Sequence, residues 1–185
     1  MHAGSTGTET EMGAAETATA IVIMGPSGVG KSTTAEGLAE RLDWPFAEAD
    51  KFHPKANIAK MTEGVPLDDA DRAPWLAAIR DWISDEAEKG VSTVLTCSAL
   101  KRRYRETLRE AKARVRFVAL EIDPERLAER MRTRKGHFMP PSLLKSQLAD
   151  LEPLAADEDG ITVSVDQPPQ AVIAAVVEKL GLSAR

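Results

Sequence analysis

Gly25-Pro26-Ser27-Gly28-Val29-Gly30-Lys31-Ser32 fills every fixed position of the pattern GxxxxGK[ST]. The run before it, Ala20–Met24, is wholly apolar, and after it Ala35, Leu38, Ala39 and Leu42 recur at helical spacing. The motif therefore sits between a strand and a helix predicted to open near Lys31. In that setting a glycine-rich turn brings backbone N–H groups close to phosphate oxygens, and the helix N-terminus adds its partial positive charge. Lys31 is placed to reach the β- and γ-phosphates of ATP, and the Ser32 hydroxyl to ligate a Mg²⁺ ion between them. The nucleotide is expected on Gly25, Ser27, Gly28, Val29 and Gly30, with Lys31, Ser32 and Thr33 at the helix start.

Outward from this loop the chain alternates. Apolar runs recur at Val91–Cys97, Val115–Ile122 and Ile161–Val165, with a weaker one at Pro45–Ala49. Between them lie helical stripes: Trp75, Ile79, Trp82 and Ile83, then Tyr104, Leu108 and Ala111, then Val172, Ile173, Val176, Val177 and Leu180. Continuous apolar strands separated by helices indicate an α/β fold whose parallel sheet is covered on both faces by right-handed crossovers. Ligands of such sheets gather at the carboxyl ends of the strands, so the loops after Met24, Ala49, Cys97 and Ile122 should carry the chemistry.

At 185 residues and 43% hydrophobic content the chain has room for one such domain. Residues 1–18 hold Glu9, Glu11 and Glu16 but no Lys or Arg and little to bury, so they read as a disordered extension before a single domain over 19–185. Of the formal charge of −5, three negative charges lie in that extension, which leaves −2 on the rest. No basic surface stands out to bind nucleic acid or an anionic membrane. No apolar run approaches the roughly 20 residues of a membrane span, and the N-terminal segment lacks the pattern of a signal peptide. The single cysteine, Cys97, has no disulfide partner in the chain and no zinc spacing around it, as expected of a small buried residue in a reducing cytoplasm.

The strand Val91–Leu95 runs into Thr96-Cys97-Ser98, where many ATP-hydrolysing proteins place acidic residues. The carboxylate is instead Asp50, after the second strand, and no Asn-Lys-x-Asp motif occurs. An acid there suits a kinase that must orient an acceptor hydroxyl. Four further blocks then become informative: Asp50-Lys51-Phe52-His53, Pro66–Leu76, Cys97–Arg105 and Gly136-His137-Phe138-Met139-Pro140, the last extended by Leu143–Leu148. Their order and spacing resemble the signature blocks of gluconokinase over roughly Ile21 to Leu182, and differ from those of the similar shikimate kinases after strands two and three.

The resemblance implies a three-layer, nucleoside-monophosphate-kinase-like fold with a five-stranded parallel sheet in the order 2-3-1-4-5 and a lid at about residues 134–142. It also implies transfer of phosphate from ATP to the 6-hydroxyl of D-gluconate, and commonly a homodimer. Rival readings are a kinase of the same fold acting on another hydroxylated acid such as shikimate, and a non-catalytic ATP-binding regulator.

Within this frame Asp50 is expected to accept or orient the proton of the attacking hydroxyl, against a reading as a helix cap near Pro54. His53 is open between a substrate contact and a structural role. Arg72, in a polar loop before the Trp75 helix, is expected to grip the sugar-acid carboxylate, for which a guanidinium fork is suited. A solvated loop charge is the competing reading. Asp68, Asp69 and Asp71 read as local caps and Arg72 partners, and Trp75 and Trp82 as core. Lys101 and Arg105, four apart, either add positive charge near the acceptor or form a solvated face. Ser98 and His137, within the quoted blocks, join the acceptor side. By resemblance Arg130 lies on the adenine and Arg134 meets the charge of the transferring phosphate, with cations at a helix end as the alternative. Asp166-Gln167-Pro168-Pro169 reads either as an adenine edge or as a helix start.

Overall fold

A computed structural model describes residues 16–134 and 141–183. The elements run β1 (Thr19–Met24), α1 (Lys31–Leu42), β2 (Phe46–Glu48), a 3₁₀ turn (Ala49–Phe52), α2 (Lys55–Thr62), α3 (Asp69–Glu88), β3 (Thr93–Thr96), α4 (Arg102–Arg109), β4 (Arg114–Glu121), α5 (Pro124–Thr133), α6 (Pro141–Asp150), β5 (Gly160–Ser164) and α7 (Pro169–Leu180). The five strands form one parallel sheet in the order β2-β3-β1-β4-β5, as expected. Alternation along β1 explains why its sequence is apolar throughout. Ile21 and Ile23 face a core with Leu38 and Leu42 of α1 and Val172, Ile173 and Val176 of α7. Ala20, Val22 and Met24 face the other core, with Trp75, Ile79 and Ile83 of α3 and Tyr104 and Leu108 of α4. Both faces are dry, which is the condition for a continuous apolar strand. The sheet order reverses at β1, so the loop leaving it opens at the crevice where ligands of open α/β sheets bind.

Two boundaries differ from the sequence reading. Ala18 is buried and its carbonyl accepts the Arg114 amide N–H at 2.9 Å, so the domain begins before residue 19. Residues 1–15 lie outside the described residues, as do 135–140, the greater part of the expected lid. The helix expected to begin at Trp75 begins at Asp69, which puts Arg72 in a helix and not in a loop. A capping box sets that start: the Asp68 carboxylate accepts the Asp71 N–H at 2.7 Å, and the Asp71 carboxylate accepts the Asp68 N–H at 3.0 Å. Pro74 is tolerated early in the helix, where it removes one backbone hydrogen bond.

Helices α2 and α6 have no counterpart in the sequence reading. Within α2 the buried residue is the polar Asn57, so no apolar stripe marks it. α6 opens on Pro141, at the end of the Gly- and Pro-containing stretch read as loop; proline favours the first helical position as well as a turn.

Candidate active site

The phosphate loop leaves β1 with three glycines at positive φ: 144° at Gly25, 82° at Gly28 and 106° at Gly30. Gly28 also lies close to the flexible Met131 side chain of α5. The positive φ is what favours glycine at these positions. The Gly25 amide donates to the Ser98 carbonyl at 3.3 Å, which ties the loop to the segment after β3. Lys31 Nζ donates to the Gly25 and Pro26 carbonyls, each at 3.0 Å, so the ammonium is folded back over the loop. Burial pushes Lys31 below its usual pKa, although Asp50 and Glu48 draw it back up.

A cavity of about 1060 Å³ runs from this loop toward α2 and α3. Ser27, Gly28, Gly30, Lys31, Ser32 and Thr33 line one end, and Asp50, His53 and Arg72 line the other. Ser98 also lines the cavity, as do Arg130 of α5 and Arg134 at the C-cap of that helix. Val29 is different: its side chain is fully buried in the core, and its backbone alone belongs to the loop.

Asp50 does not cap a helix at Pro54; it sits in the 3₁₀ turn that continues from β2. That turn is pinned from behind, because Trp75 Nε1 donates to the Ala49 carbonyl at 2.8 Å. Trp75 is thus core, as expected, and also fixes the backbone next to Asp50. His53 stacks on the Trp75 ring, with centroids 4.2 Å apart and planes at 13°. Asn57 Nδ2 donates to His53 Nδ1 at 3.3 Å and to the Asp71 carbonyl at 2.8 Å, which joins α2 to α3. Burial holds the His53 pKa below the usual value, with Asp50 drawing it up and Arg72 pushing it further down. At neutral pH its ring is therefore a neutral partner.

Arg72 is 8% exposed. Its Nη1 donates to the Tyr104 hydroxyl at 3.0 Å and lies 3.6 Å from Asp150 of α6, and its guanidinium stands 5.1 Å from the Tyr104 ring centroid. Asp69, expected to partner Arg72, instead accepts from the Tyr104 hydroxyl and from Lys101 and Arg103. The carboxylate at the Arg72 side chain is Asp150.

Lys101 and Arg105 are not brought into the cavity, which corrects their expected place beside the acceptor. Lys101 turns to Asp69 at 3.3 Å and Asp150 at 3.8 Å. Arg105 is fully buried: Nε and Nη2 donate to Glu158 at 2.7 and 2.9 Å, and Nη1 donates to the carbonyls of Ala99, Leu100 and Glu152. Ala99 has φ of 43°, rare for a residue with a Cβ, and directly follows Ser98. Arg105 thus shapes the loop behind Ser98 and touches nothing in the cleft. His137 lies outside the described residues.

Two cleft residues escaped the sequence reading. Glu48 stands beside Asp50 on the cavity wall and accepts from the Thr96 hydroxyl. Gln147 of α6 accepts the Ser27 amide N–H on its Oε1 at 2.8 Å. Cys97, just past β3, is buried against the same cavity and burial pushes its thiol up to about 12, so it stays protonated and inert. A smaller hollow lies between α5 and the segment after β5, lined by Arg130, Asp166 and Gln167, with Arg126 paired to Asp166. The same segment ends in Pro168, the N-cap of α7, which is the helix-start reading of Asp166–Pro169.

The comparisons with known proteins bear on this geometry. A family profile described as an AAA domain matches residues 21–154, from β1 to beyond α6. A gluconokinase of Gluconobacter oxydans (strain 621H) is 52% identical over 153 residues, covering 83% of this chain and 86% of that protein. Among solved structures, a sugar kinase from Janibacter sp. HTCC2649 superposes with a TM-score of 0.86 at 48% identity, covering 90% of this chain and 96% of that one. A gluconokinase from Sinorhizobium meliloti 1021 superposes with a TM-score of 0.80 at 45% identity, covering 88% and 91%. The resemblance drawn from the blocks around Asp50, Arg72 and Ser98 thus extends over the whole fold, and the chain belongs to the gluconokinase family.

Proposed function

We propose that the protein transfers the γ-phosphoryl group of ATP to the 6-hydroxyl of D-gluconate, giving 6-phospho-D-gluconate and ADP. The observation that carries the reading is that a single cleft joins a complete phosphate loop to a carboxylate, Asp50, and a nearly buried guanidinium, Arg72. Arg72 supplies the charge that a sugar acid needs and a neutral sugar does not. Asp50, held by the Trp75 clamp on Ala49, orients the attacking hydroxyl and accepts its proton as the phosphoryl group departs. Because the transition state of phosphoryl transfer is loose, alignment contributes more than base strength. Lys31 and the loop amides neutralise charge on the phosphates, Arg134 faces the transferring group, and Arg130 with the Asp166–Gln167 edge holds the adenine.

The donor set suits Mg²⁺, since the Ser32 hydroxyl and the Glu48 carboxylate present hard oxygen atoms to one cavity while Asp50 is left to the acceptor hydroxyl. Ser32 and Glu48 would hold the ion, which supplies charge neutralisation between the phosphates. Shikimate and a regulatory role are not favoured, because the curated relatives that match most of the chain at 40% identity or more are gluconokinases. Among the described residues no helix is long and apolar enough to cross a membrane. The lone buried thiol of Cys97 suits a cytoplasmic protein, and the family resemblance carries the expectation of a homodimer. The formal charge of −5 offers no footing for nucleic acid.

Two substitutions test the division of labour. Asp50→Asn should lower kcat by about 10²-fold or more, with ATP binding little changed. Arg72→Ala should weaken gluconate binding by about 2 kcal/mol, and should affect a neutral polyol far less. Equal losses for gluconate and the polyol would show that the carboxylate is read elsewhere in the cleft.

A further inference from the structure

Helix α6 touches both ends of the cleft. Its Leu143 and Leu144 are buried, and Leu144 packs in the core beneath α1 and α7, so the helix has a fixed seat. Gln147 and Asp150 lie three residues apart and so project on one side of it. Gln147 grips the phosphate loop at Ser27: its Oε1 accepts the amide N–H at 2.8 Å, and its Nε2 donates to the hydroxyl at 3.4 Å. Asp150 faces Arg72 on the acceptor side, with one carboxylate oxygen 3.6 Å from Arg72 Nη1, and its other oxygen lies 3.8 Å from Lys101 Nζ outside the cavity. One helical turn thus carries a hand on the nucleotide loop and a hand on the residue proposed to read the sugar acid.

We infer that α6 couples the two substrates, with Gln147 and Asp150 as positioning residues, and this rests on the reading of Arg72 as the carboxylate site. An acceptor carboxylate at Arg72 draws on the same guanidinium that Asp150 faces and weakens the hold of Asp150 on it. The release is delivered one turn along a rigid helix to Gln147. There a neutral side-chain carbonyl occupies the Ser27 N–H, a donor of the loop that cradles phosphate. Loosening Gln147 frees that donor, so the acceptor tightens the nucleotide, and by linkage the nucleotide tightens the acceptor by the same factor. The device discourages commitment of ATP when no sugar acid is present.

Calorimetry with a non-hydrolysable ATP analogue and Mg²⁺, with and without saturating gluconate, tests this on the full chain. The wild-type protein should bind the analogue about 5-fold or more tightly when gluconate is present. In Gln147→Ala the analogue should bind without gluconate at least as tightly as in wild type, and gluconate should add nothing. Asp150→Asn, at a side chain 29% exposed, should also bring the ratio close to one. A merely structural Gln147 would instead weaken the analogue equally in both conditions and keep the ratio. A ratio near one in wild type, or a wild-type ratio surviving in Asp150→Asn, overturns the coupling. Failure of the underlying reading shows separately, as a wild-type protein that releases no ADP with gluconate.

Discussion

Replacing Lys31 by alanine lowers kcat for phosphoryl transfer by about 10²–10³-fold, the loss typical of removing one preorganised donor to developing charge, and the protein stays folded. The activity loss follows from position: Lys31 opens α1 at the cavity wall beside Ser32 and is the basic residue within the phosphate loop motif. The stability outcome follows from electrostatics. Burial depresses the Lys31 pKa, so the fold holds the charged form at a disadvantage that alanine removes. Against this stand two hydrogen bonds to the Gly25 and Pro26 carbonyls, each contributing about 1 kcal/mol. The terms oppose, and the melting temperature should move by a few degrees at most. A depressed lysine pKa also makes wild-type stability rise with pH between the lowered value and the usual 10.5, a rise that Lys31→Ala should lack. Thermal melts across alkaline pH and steady-state kinetics check both halves; full activity in the variant would remove Lys31 from the mechanism.

Arg105→Ala has its large effect on stability. The Arg105–Glu158 pair is fully buried on both side chains, and removing one partner of such a pair typically costs about 3–5 kcal/mol because a charge is left unpaired. That is a large part of the roughly 5–15 kcal/mol that keeps a domain folded. Burial alone would push the Glu158 carboxyl up, but the Arg105 guanidinium and the Ala155 amide hold it below its usual value. The contribution of the pair is therefore present above the ordinary glutamate pKa of 4.5 and is lost as pH falls through the depressed one. In the variant Glu158 loses its counter-charge, so the deficit should be greatest near neutral pH and narrow on acidification. Replacing both partners, as Arg105→Met with Glu158→Leu, should recover most of the stability. The double variant should still lose activity, since the carbonyls of Ala99 and Leu100 lose the donor that shapes the loop behind Ser98. Denaturant unfolding at pH 7 and at a pH below 4.5 separates these outcomes; an Arg105→Ala protein as stable as wild type would contradict the account of the buried pair.

These two arginine-and-lysine cases show where the sequence was readable. The phosphate loop was legible because β1 is apolar on both faces and the glycine spacing admits one geometry, whereas the order of the sheet came only from the resemblance of the signature blocks. Asp50 and Arg72 reached the cleft because short local stretches place them, the 3₁₀ turn after β2 and the first turn of α3. The start of α3 was masked by Pro74, which reads as a boundary, although Asp68 and Asp71 already had capping-box spacing. What could not be read are pairings across long stretches of chain. Arg105 meets Glu158 fifty-three residues away, Trp75 meets Ala49 twenty-six residues away, and Gln147 meets Ser27 one hundred and twenty residues away. An arginine on a basic helix is ordinarily solvated, and nothing local distinguishes one that points inward. Gln147 carries no charge and breaks no periodicity, so a glutamine holding the phosphate loop looks like any other helical surface residue.

The most direct test of the central claim is the rate of ADP release by the full chain with ATP and Mg²⁺, measured in parallel with gluconate, shikimate and nucleoside monophosphates as acceptors. ADP release should be slow without an acceptor and rise by orders of magnitude with gluconate, with the phosphate recovered on the 6-hydroxyl. Release that is fastest with shikimate or a nucleotide, or that proceeds at the same rate with no acceptor at all, would contradict the assignment of the Asp50–Arg72 end of the cleft to gluconate.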